Sequence, residues 1–262
     1  MYSHAMHDAI VLPDGSRIRW TELPGSSPAR VYIHGLGAMS APYYLGIATH
    51  PALAGRRSLM IDMLGFGLSD RPEDFGYTLE DHADVLATAL TAAGVRRAEV
   101  IAHSMGGAVA VVLAVRHPEL VAALVLLDAN LDPVEPHPHR PGSSGLSAYT
   151  EAEFLEYGRH EVRDRVGPHW WSTMRLAGRV ALHRSAVHLA RGTVPTVREH
   201  LLRLAIPRAF LHPERDGDVR DGEALTAGGV RLVPIPDAGH NLMLDNPHRT
   251  ARAIAAFLDG PR

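Results

Sequence analysis

The sequence predicts an α/β fold, in which a mostly parallel sheet carries helices on both faces. Short apolar runs alternate with segments of helical periodicity through the first half of the chain, as expected when crossover helices connect parallel strands. The run at residues 120–127 is almost continuously apolar, which is typical of a strand buried on both faces. The alternation stops near residue 131 and resumes near residue 208, so a helical insertion is expected between two parts of the sheet.

The elements of the first half follow from the apolar pattern and the turn residues. A hairpin is expected at the start, because two short apolar runs flank a Pro-Asp-Gly-Ser turn. A helix is expected over residues 78–93, where Thr78 is a suitable N-cap and Gly94 a suitable stop. Another helix is expected over residues 105–116. The predicted strands, in order, are residues 10–12, 18–23, 30–34, 58–62, 98–102 and 120–127.

The second half holds the insertion and the end of the sheet. Residues 132–147 are rich in Pro, His, Gly and Ser and are predicted to form a loop. Thr150 and Thr196 are each followed by a glutamate at capping-box spacing, which predicts a helix start at both positions. The predicted elements are helices over residues 150–166, 168–189 (one or two helices) and 196–204, strands at 208–212 and 230–235, and a helix at 246–258. The expected division is a core of residues 1–130 and 207–262 and a helical cap of residues 131–206.

The composition narrows the function classes. With 262 residues and 46% hydrophobic content, the chain is expected to form one domain with a full core. A net charge of −3 without a basic stripe argues against nucleic acid or a membrane as partner. The chain has no cysteine, which excludes disulfides, thiolate catalysis and zinc–thiolate sites. Neither an apolar signal core nor a membrane-length run is visible, so we expect a cytoplasmic monomer or homodimer.

The stretch at residues 100–107, Val-Ile-Ala-His-Ser-Met-Gly-Gly, carries the most functional information. It is close to the G-x-S-x-G turn, which lifts a nucleophilic serine above the edge of a sheet. Ala102 stands in the first glycine position, a small departure because a methyl group is the least bulky addition. The alternative interpretation is a glycine-rich helix start with Ser104 as its N-cap.

A nucleophilic serine needs a base, and the base needs an acid that orients it. His240 is the candidate base, since it lies in a loop between a predicted strand and the last helix, where open parallel sheets place their sites. Two acids fit the chain order, Asp216 after the strand at 208–212 and Asp128 at the end of the strand at 120–127. Either could instead be a turn-forming aspartate; Glu214 and Asp218 are weaker alternatives.

An acyl-transfer site also needs two backbone donors for the developing oxyanion. The amide of Met105, directly after the serine, is one candidate. The amide of Leu36 is the other, because it lies between two glycines in the loop after the strand at 30–34, where the backbone can approach a ligand closely.

The chain resembles the α/β-hydrolase family, and in particular its small esterase-like members with a helical cap. Four motifs carry the resemblance: His-Gly-Leu-Gly at 34–37, Asp-Met-Leu-Gly-Phe-Gly-Leu-Ser-Asp at 62–70, Ala-His-Ser-Met-Gly-Gly at 102–107 and Asp-Ala-Gly-His at 237–240. The resemblance implies an eight-stranded sheet, with the cap after strand six and the site between sheet and cap. Most members carry the acid after strand seven, which favours Asp216. Some, including certain lactone hydrolases, carry it after strand six, which favours Asp128, and Pro213 departs from the glycine usual after strand seven.

The predicted activity is hydrolysis of a small, apolar carboxylic ester or lactone through an acyl-enzyme, without metal or cofactor. Serine at the turn argues against the epoxide hydrolases and haloalkane dehalogenases of this family, in which the nucleophile at this position is an aspartate. Carbon–carbon bond hydrolases, thioesterases, cofactor-free peroxidases and slow-turnover ligand receptors remain open, since the fold does not fix the substrate. The expected lining of the substrate pocket is Gly35, Met39, Tyr43, Tyr44, His103, Trp170, Trp171 and Met174. His137 and His139 are expected to be solvated, because their spacing fits no standard metal geometry.

Overall fold

The computed structural model describes residues 6–260 and contains one eight-stranded sheet. The strand order is β1-β2-β4-β3-β5-β6-β7-β8. Pairs that involve β1 or β2 are antiparallel, and the pairs from β4 through β8 are parallel. The predicted α/β fold is therefore confirmed. The strands are β1 His7–Ile10, β2 Arg17–Leu23, β3 Ser26–Ile33, β4 Arg56–Asp62, β5 Ala98–His103, β6 Val121–Leu127, β7 Arg208–Pro213 and β8 Val230–Ile235.

Helices cover both faces of this sheet. Alternate residues of β3 divide between the two faces, with Val31 and Ile33 in one apolar cluster and Tyr32 in the other, as the period of two in a strand requires. Helices α2 and α3 lie on the first face, and α1 and α11 lie on the second. The helices outside the insertion are α1 Ser40–Ala48, α2 Leu79–Ala92, α3 Met105–Arg116, α9 Gly222–Ala227, α10 Leu242–Asp245 and α11 Pro247–Leu258.

The segment between β6 and β7 contains helices and no strand among its described residues. They are α4 Gly142–Leu146, α5 Glu151–Glu153, a π-helical turn Phe154–Gly158, α6 Arg159–Met174, α7 Arg179–Arg191 and α8 Val197–Arg203. The loop predicted at 132–147 is thus wrong in part, because α4 forms inside it. A kink divides α6, where Gly167 has φ 74° directly before Pro168. We refer to residues 131–206 below as the cap segment.

The cap segment is fastened to the sheet-bearing part of the chain by named polar contacts. Arg184 of α7 binds both carboxylate oxygens of Glu151 within the cap segment and donates to the carbonyls of Glu73 and Phe75, in the loop between β4 and α2. Arg71 of the same loop donates to the Leu176 carbonyl at 2.7 Å. The cap segment is therefore held along the loop that precedes α2.

A buried histidine makes a second connection, between α2 and α7. His82 is 1% exposed, and its Nε2 lies 2.9 Å from the hydroxyl of Ser185. The rings of Phe66, Phe75 and Tyr77 surround it. Burial lowers the pKa of His82 to about 3, because a charged imidazole would lose its hydration there.

The described residues include no helix that is both long enough and apolar enough to cross a lipid bilayer.

Candidate active site

The turn between β5 and α3 holds Ser104 in an unusual backbone conformation. Its φ is 51° and its ψ is −122°, a region that side chains rarely adopt. The following glycines allow the turn to pack: a Cβ on Gly106 would lie 2.3 Å from the His34 carbonyl oxygen, and one on Gly107 would lie 2.3 Å from the Ala129 Cβ. The sequence pattern therefore reflects close packing around a serine at the carboxyl edge of the sheet.

His240 reaches Ser104 from the loop after β8. Its Nε2 lies 3.1 Å from the Ser104 Oγ, and its Nδ1 lies 2.6 Å from Oδ2 of Asp128. A carboxylate can only accept a hydrogen bond, so the proton of a neutral imidazole lies on Nδ1 and Nε2 faces the hydroxyl as an acceptor. The three side chains thus form a continuous line from carboxylate to imidazole to hydroxyl.

Asp128 is the acid that the structure brings to His240, and Asp216 is not. Asp128 follows the last residue of β6 with φ 43°, and this turn directs its carboxylate toward the neighbouring strand end. Asp216 lies in a short 3-10 turn after β7, where its side chain is 61% exposed and 3.7 Å from Arg215. The geometry does not support the preference for Asp216 that the family pattern implied. Glu214 and Asp218 are exposed as well.

A buried histidine fixes the loop that carries Leu36. The Met63 amide donates to His34 Nε2 at 3.0 Å, so the ring proton lies on Nδ1 and is donated to the Gly35 carbonyl at 2.7 Å. Burial lowers the pKa of His34, which keeps it neutral. In a trans peptide the amide hydrogen points opposite to the carbonyl, so this bond sets the direction of the Leu36 N–H. His34 was predicted only as the first residue of the His-Gly-Leu-Gly motif, without a role of its own.

The same loop lies against the serine. A Cβ on Gly35 would be 2.9 Å from the His103 Nδ1 and 3.0 Å from the Ser104 Cβ, so any larger residue would force these side chains to shift. The Met105 amide is the first N–H of α3, a helix of 12 residues, and points toward the region where helix N-termini favour negative charge. The two candidate oxyanion donors therefore flank the serine.

His103 supports the His240 loop and does not face an open pocket. It is 3% exposed, and its Nε2–H donates to the His240 carbonyl at 2.8 Å. The two rings are 4.5 Å apart. Burial lowers the pKa of His103 well below its usual range, so it stays neutral beside His240. The structure thus places His103, which was expected to line the pocket, against the His240 loop, where its side chain is almost fully buried.

Tyr44, another residue that was expected in the pocket, is buried as well. It is fully buried under the sheet, where its hydroxyl donates to the Ile33 carbonyl at 3.1 Å. The helix α1, which carries Tyr44, was not predicted. It is apolar around most of its surface and has no side-chain N-cap bond, so it shows neither helical periodicity nor a start signal in the sequence. Tyr43 is 4% exposed, with its ring 6.2 Å from that of His169 in the cap segment. Met39, directly before α1, is half-buried.

The cap segment covers the Leu36 loop with two of the expected residues, Trp170 and Met174. The Trp170 indole donates to the Leu36 carbonyl at 3.0 Å. Met174 is fully buried against Gly37, where an added Cβ would lie 3.1 Å from its Cε. Trp171 packs under the guanidinium of Arg159 at 5.2 Å. Trp170 and Met174 thus act partly as packing residues that join the cap segment to this loop.

The structure adds one neighbour of Ser104 that the sequence analysis did not consider. Oδ1 of the Asn130 side chain lies 3.1 Å from the Ser104 Oγ. The backbone N–H of Asn130 donates to the Ser104 carbonyl oxygen at 3.4 Å. The available signal was its position two residues after Asp128, on the same strand end. His137 and His139 lie with their rings 5.9 Å apart on the surface, and no group of three metal-ligating side chains occurs within residues 6–260.

Comparisons with known proteins agree with this architecture. A family model of the α/β-hydrolase fold matches residues 29–181. A protein of Mycobacterium phage D29 that is named for non-heme haloperoxidase activity is 30% identical, over 97% of this chain and 95% of its own. A 2-hydroxymuconate semialdehyde hydrolase of Pseudomonas putida is 36% identical over 117 residues, 45% of this chain and 41% of its own.

A solved structure extends the likeness to the whole fold. A thermophilic esterase from Thermogutta terrifontis has a TM-score of 0.78 at 20% identity, with 97% of this chain and 98% of that chain covered. The family model matches more than half of the chain, and a relative at 30% identity spans nearly all of it. The chain therefore belongs to the α/β-hydrolase family.

Proposed function

We propose that this hydrolase cleaves small carboxylic esters or lactones through an acyl-enzyme on Ser104. The observation that carries the proposal is the line of hydrogen bonds from Asp128 through His240 to Ser104, with separations of 2.6 and 3.1 Å. In this arrangement the carboxylate orients the imidazole and stabilises it when it becomes charged, which is what a serine nucleophile requires.

The reaction begins with transfer of the Ser104 proton to His240 as the Oγ attacks the substrate carbonyl. The amides of Leu36 and Met105 stabilise the negative oxygen of the tetrahedral intermediate, a contribution of roughly a hundredfold to a thousandfold in rate for each donor. His240 then protonates the departing alkoxide. In the second half, His240 takes a proton from water, hydroxide attacks the ester carbonyl, and Ser104 leaves with its proton restored.

The surroundings of the site support a small apolar acyl group. Trp170 and Met174 cover the Leu36 loop from the cap segment, and Leu36 itself is buried. The imidazole of His240 is 53% exposed, so water can reach the base that deacylation needs. The apolar side would favour a short acyl chain, and the open side would admit the leaving alcohol and the hydrolytic water.

Hydrolysis of a carbon–carbon bond is the second candidate. It is favoured by the 36% identity to a 2-hydroxymuconate semialdehyde hydrolase over 117 residues. The two candidates differ in the bond that breaks next to the carbonyl, so they are separated by assaying esters and 2-hydroxymuconate semialdehyde side by side.

The first test compares wild type with Ser104→Ala on p-nitrophenyl acetate, butyrate and octanoate and on γ- and δ-lactones. Wild type should show a burst of p-nitrophenol followed by steady turnover. The variant should lose at least a thousandfold in kcat, with unchanged thermal unfolding. A burst without turnover would indicate a receptor-like protein. Residual activity of more than a few per cent in the variant would exclude Ser104 as the nucleophile.

A further inference from the structure

Within residues 6–260, two polar side chains hydrogen-bond to the Ser104 Oγ, and one of them lies outside the Asp128–His240 line. His240 Nε2 and Asn130 Oδ1 are each 3.1 Å from the Ser104 Oγ. A hydroxyl has one proton to donate and two lone pairs that accept. With Nδ1–H of His240 bonded to Asp128, Nε2 is an acceptor, and the Asn130 oxygen is a second acceptor for the same proton.

This competition ends if the carboxamide turns. A half-turn about its last side-chain bond exchanges the oxygen and the NH2 group of Asn130 while every other contact stays in place. The NH2 group then donates to the Ser104 Oγ, and the hydroxyl donates its proton to His240. The Ser104 hydroxyl then has one acceptor, His240 Nε2, and one donor, the Asn130 NH2 group, and this donor faces the oxygen that loses its proton during attack.

The position of Asn130 is fixed by the backbone. The backbone N–H of Asn130 lies 3.4 Å from the Ser104 carbonyl oxygen, and the backbone N–H of Ser104 donates to the Leu127 carbonyl at 3.0 Å. The segment that carries Asp128 and Asn130 therefore wraps the nucleophile turn from the β6 side. Gly35 approaches the same turn from the β3 side.

We propose that Asn130 is a further catalytic residue whose carboxamide N–H donates to the Ser104 Oγ as the proton passes to His240. The donor lowers the cost of negative charge on this oxygen when Ser104 attacks. It acts in the same way when the Oγ leaves the acyl-enzyme. The proposal deepens the function proposed above and rests on Ser104 being the nucleophile.

The test measures how fast Ser104 reacts with a fluorophosphonate probe, which requires neither turnover nor a known substrate. The Oγ–P bond forms, fluoride leaves, and the serine proton passes to His240. Asn130→Leu keeps the shape and removes the polar group, and Asn130→Asp keeps the shape and can only accept. We expect both variants to be labelled roughly tenfold to a hundredfold more slowly, between the effects of one ordinary hydrogen bond and one oxyanion donor.

Ser104→Ala is the negative control for labelling, and the melting temperature of each variant checks the fold. If Asn130→Leu does not fold, Asn130→Ala replaces it, since that change only removes atoms from a half-buried position. Labelling of the leucine variant at the wild-type rate or faster would overturn the proposal, because Asn130 would then only compete for the proton. Wild type that is labelled but cleaves no ester would refute the proposed function, while the labelling rates would still decide the role of Asn130.

Discussion

At the scale of single residues, the site depends on backbone conformations that residues other than glycine rarely adopt. Ser104 and Asp128 have φ values of 51° and 43°, and such conformations cost on the order of 1–3 kcal/mol each. Both residues directly follow central strands of the sheet, β5 and β6. The packing of these strands holds both residues in place, and the result is that the hydroxyl and the carboxylate converge on one imidazole.

The residue pattern predicted part of this arrangement. Ser104 and His240 could be found because strand, turn and helix signals frame them in a recognisable order. The acid could not be chosen, because two aspartates follow adjacent parallel strands and only the course of the turns decides which one reaches His240. Asn130 carried no motif of its own, and the burial of Tyr44 could not be predicted because α1 has no capping signal.

The first prediction concerns the two aspartates. Asp128→Asn should lower kcat for ester hydrolysis on the order of ten-thousand-fold, since an amide no longer favours the reactive tautomer of His240. Asp216→Asn is the matched control, with the same chemical change at an exposed carboxylate, and should keep its activity within about twofold. Steady-state kinetics of both variants are the measurement, and a larger loss in Asp216→Asn would return the role of acid to strand seven.

At the scale of elements, the central strands of the sheet were predicted more accurately than its first strand. The apolar runs of β5 and β6 lie where the sequence predicts them, whereas β1 His7–Ile10 is mostly exposed and lies mainly before the predicted residues 10–12. The break predicted between the helices at 150–166 and 168–189 is confirmed, because Gly167 has φ 74° directly before Pro168, where two helical segments meet at a kink. The buried contact between α2 and α7 through His82 and Ser185 could not be predicted, since it joins residues 103 positions apart.

The second prediction uses that contact. Burial lowers the pKa of His82 to about 3, whereas in the unfolded chain it has the ordinary value of 6.5. Between these values the unfolded state binds the additional proton, so the free energy of unfolding falls as pH falls from about 6.5 to 3. One such group contributes a slope of up to about 1.4 kcal/mol per pH unit.

His82→Gln should reduce this slope by the contribution of about one proton. The buried rings of His34 and His103 are unchanged in the variant, so their part of the slope remains. Urea denaturation between pH 7 and 4.5 measures the slope in wild type and variant. His160→Gln, at an exposed position of the cap segment, is the control and should follow the wild-type curve. Parallel curves for His82→Gln and wild type would show that this histidine takes up no proton on unfolding.

At the scale of the whole molecule, the sheet and the cap segment meet along the loop between β4 and α2. Gly65 of this loop has φ 90°, and an added Cβ would lie 2.5 Å from the Ala181 Cβ in α7. The Gly178 amide donates to the Gly65 carbonyl at 2.9 Å. Together with Arg184 and Arg71, these contacts hold the cap segment to this loop.

The third prediction weakens that edge. Arg184→Ala removes hydrogen bonds to Glu151 and to the carbonyls of Glu73 and Phe75. Because the side chain of Arg184 is partly exposed, we expect a loss of about 1 kcal/mol, which lowers the melting temperature by about 2–4 °C. Hydrogen exchange should increase in α7 and in the loop before α2, and should stay unchanged in β5 and β6.

Arg163→Ala provides the control for this experiment. Arg163 lies on the surface of the same segment and forms an ion pair with its exposed neighbour Asp164, so its removal should change neither the melting temperature nor the exchange. Equal effects of the two substitutions would mean that the loss of a positive charge from the cap segment is responsible, and that the hydrogen bonds of Arg184 are not.

The short stretch from Asp128 to Asn130 serves two parts of the molecule at once. It ends β6, and it is also the stem from which the cap segment departs. Exchange of the cap segment for one from a relative would therefore alter the connection to Asp128 and Asn130. In a protein whose acid follows strand seven, the acid would instead lie after the grafted insertion in the chain. Chimeras of this enzyme should consequently be joined after residue 130, and specificity gained by recombination upstream of that joint would come with an altered catalytic centre.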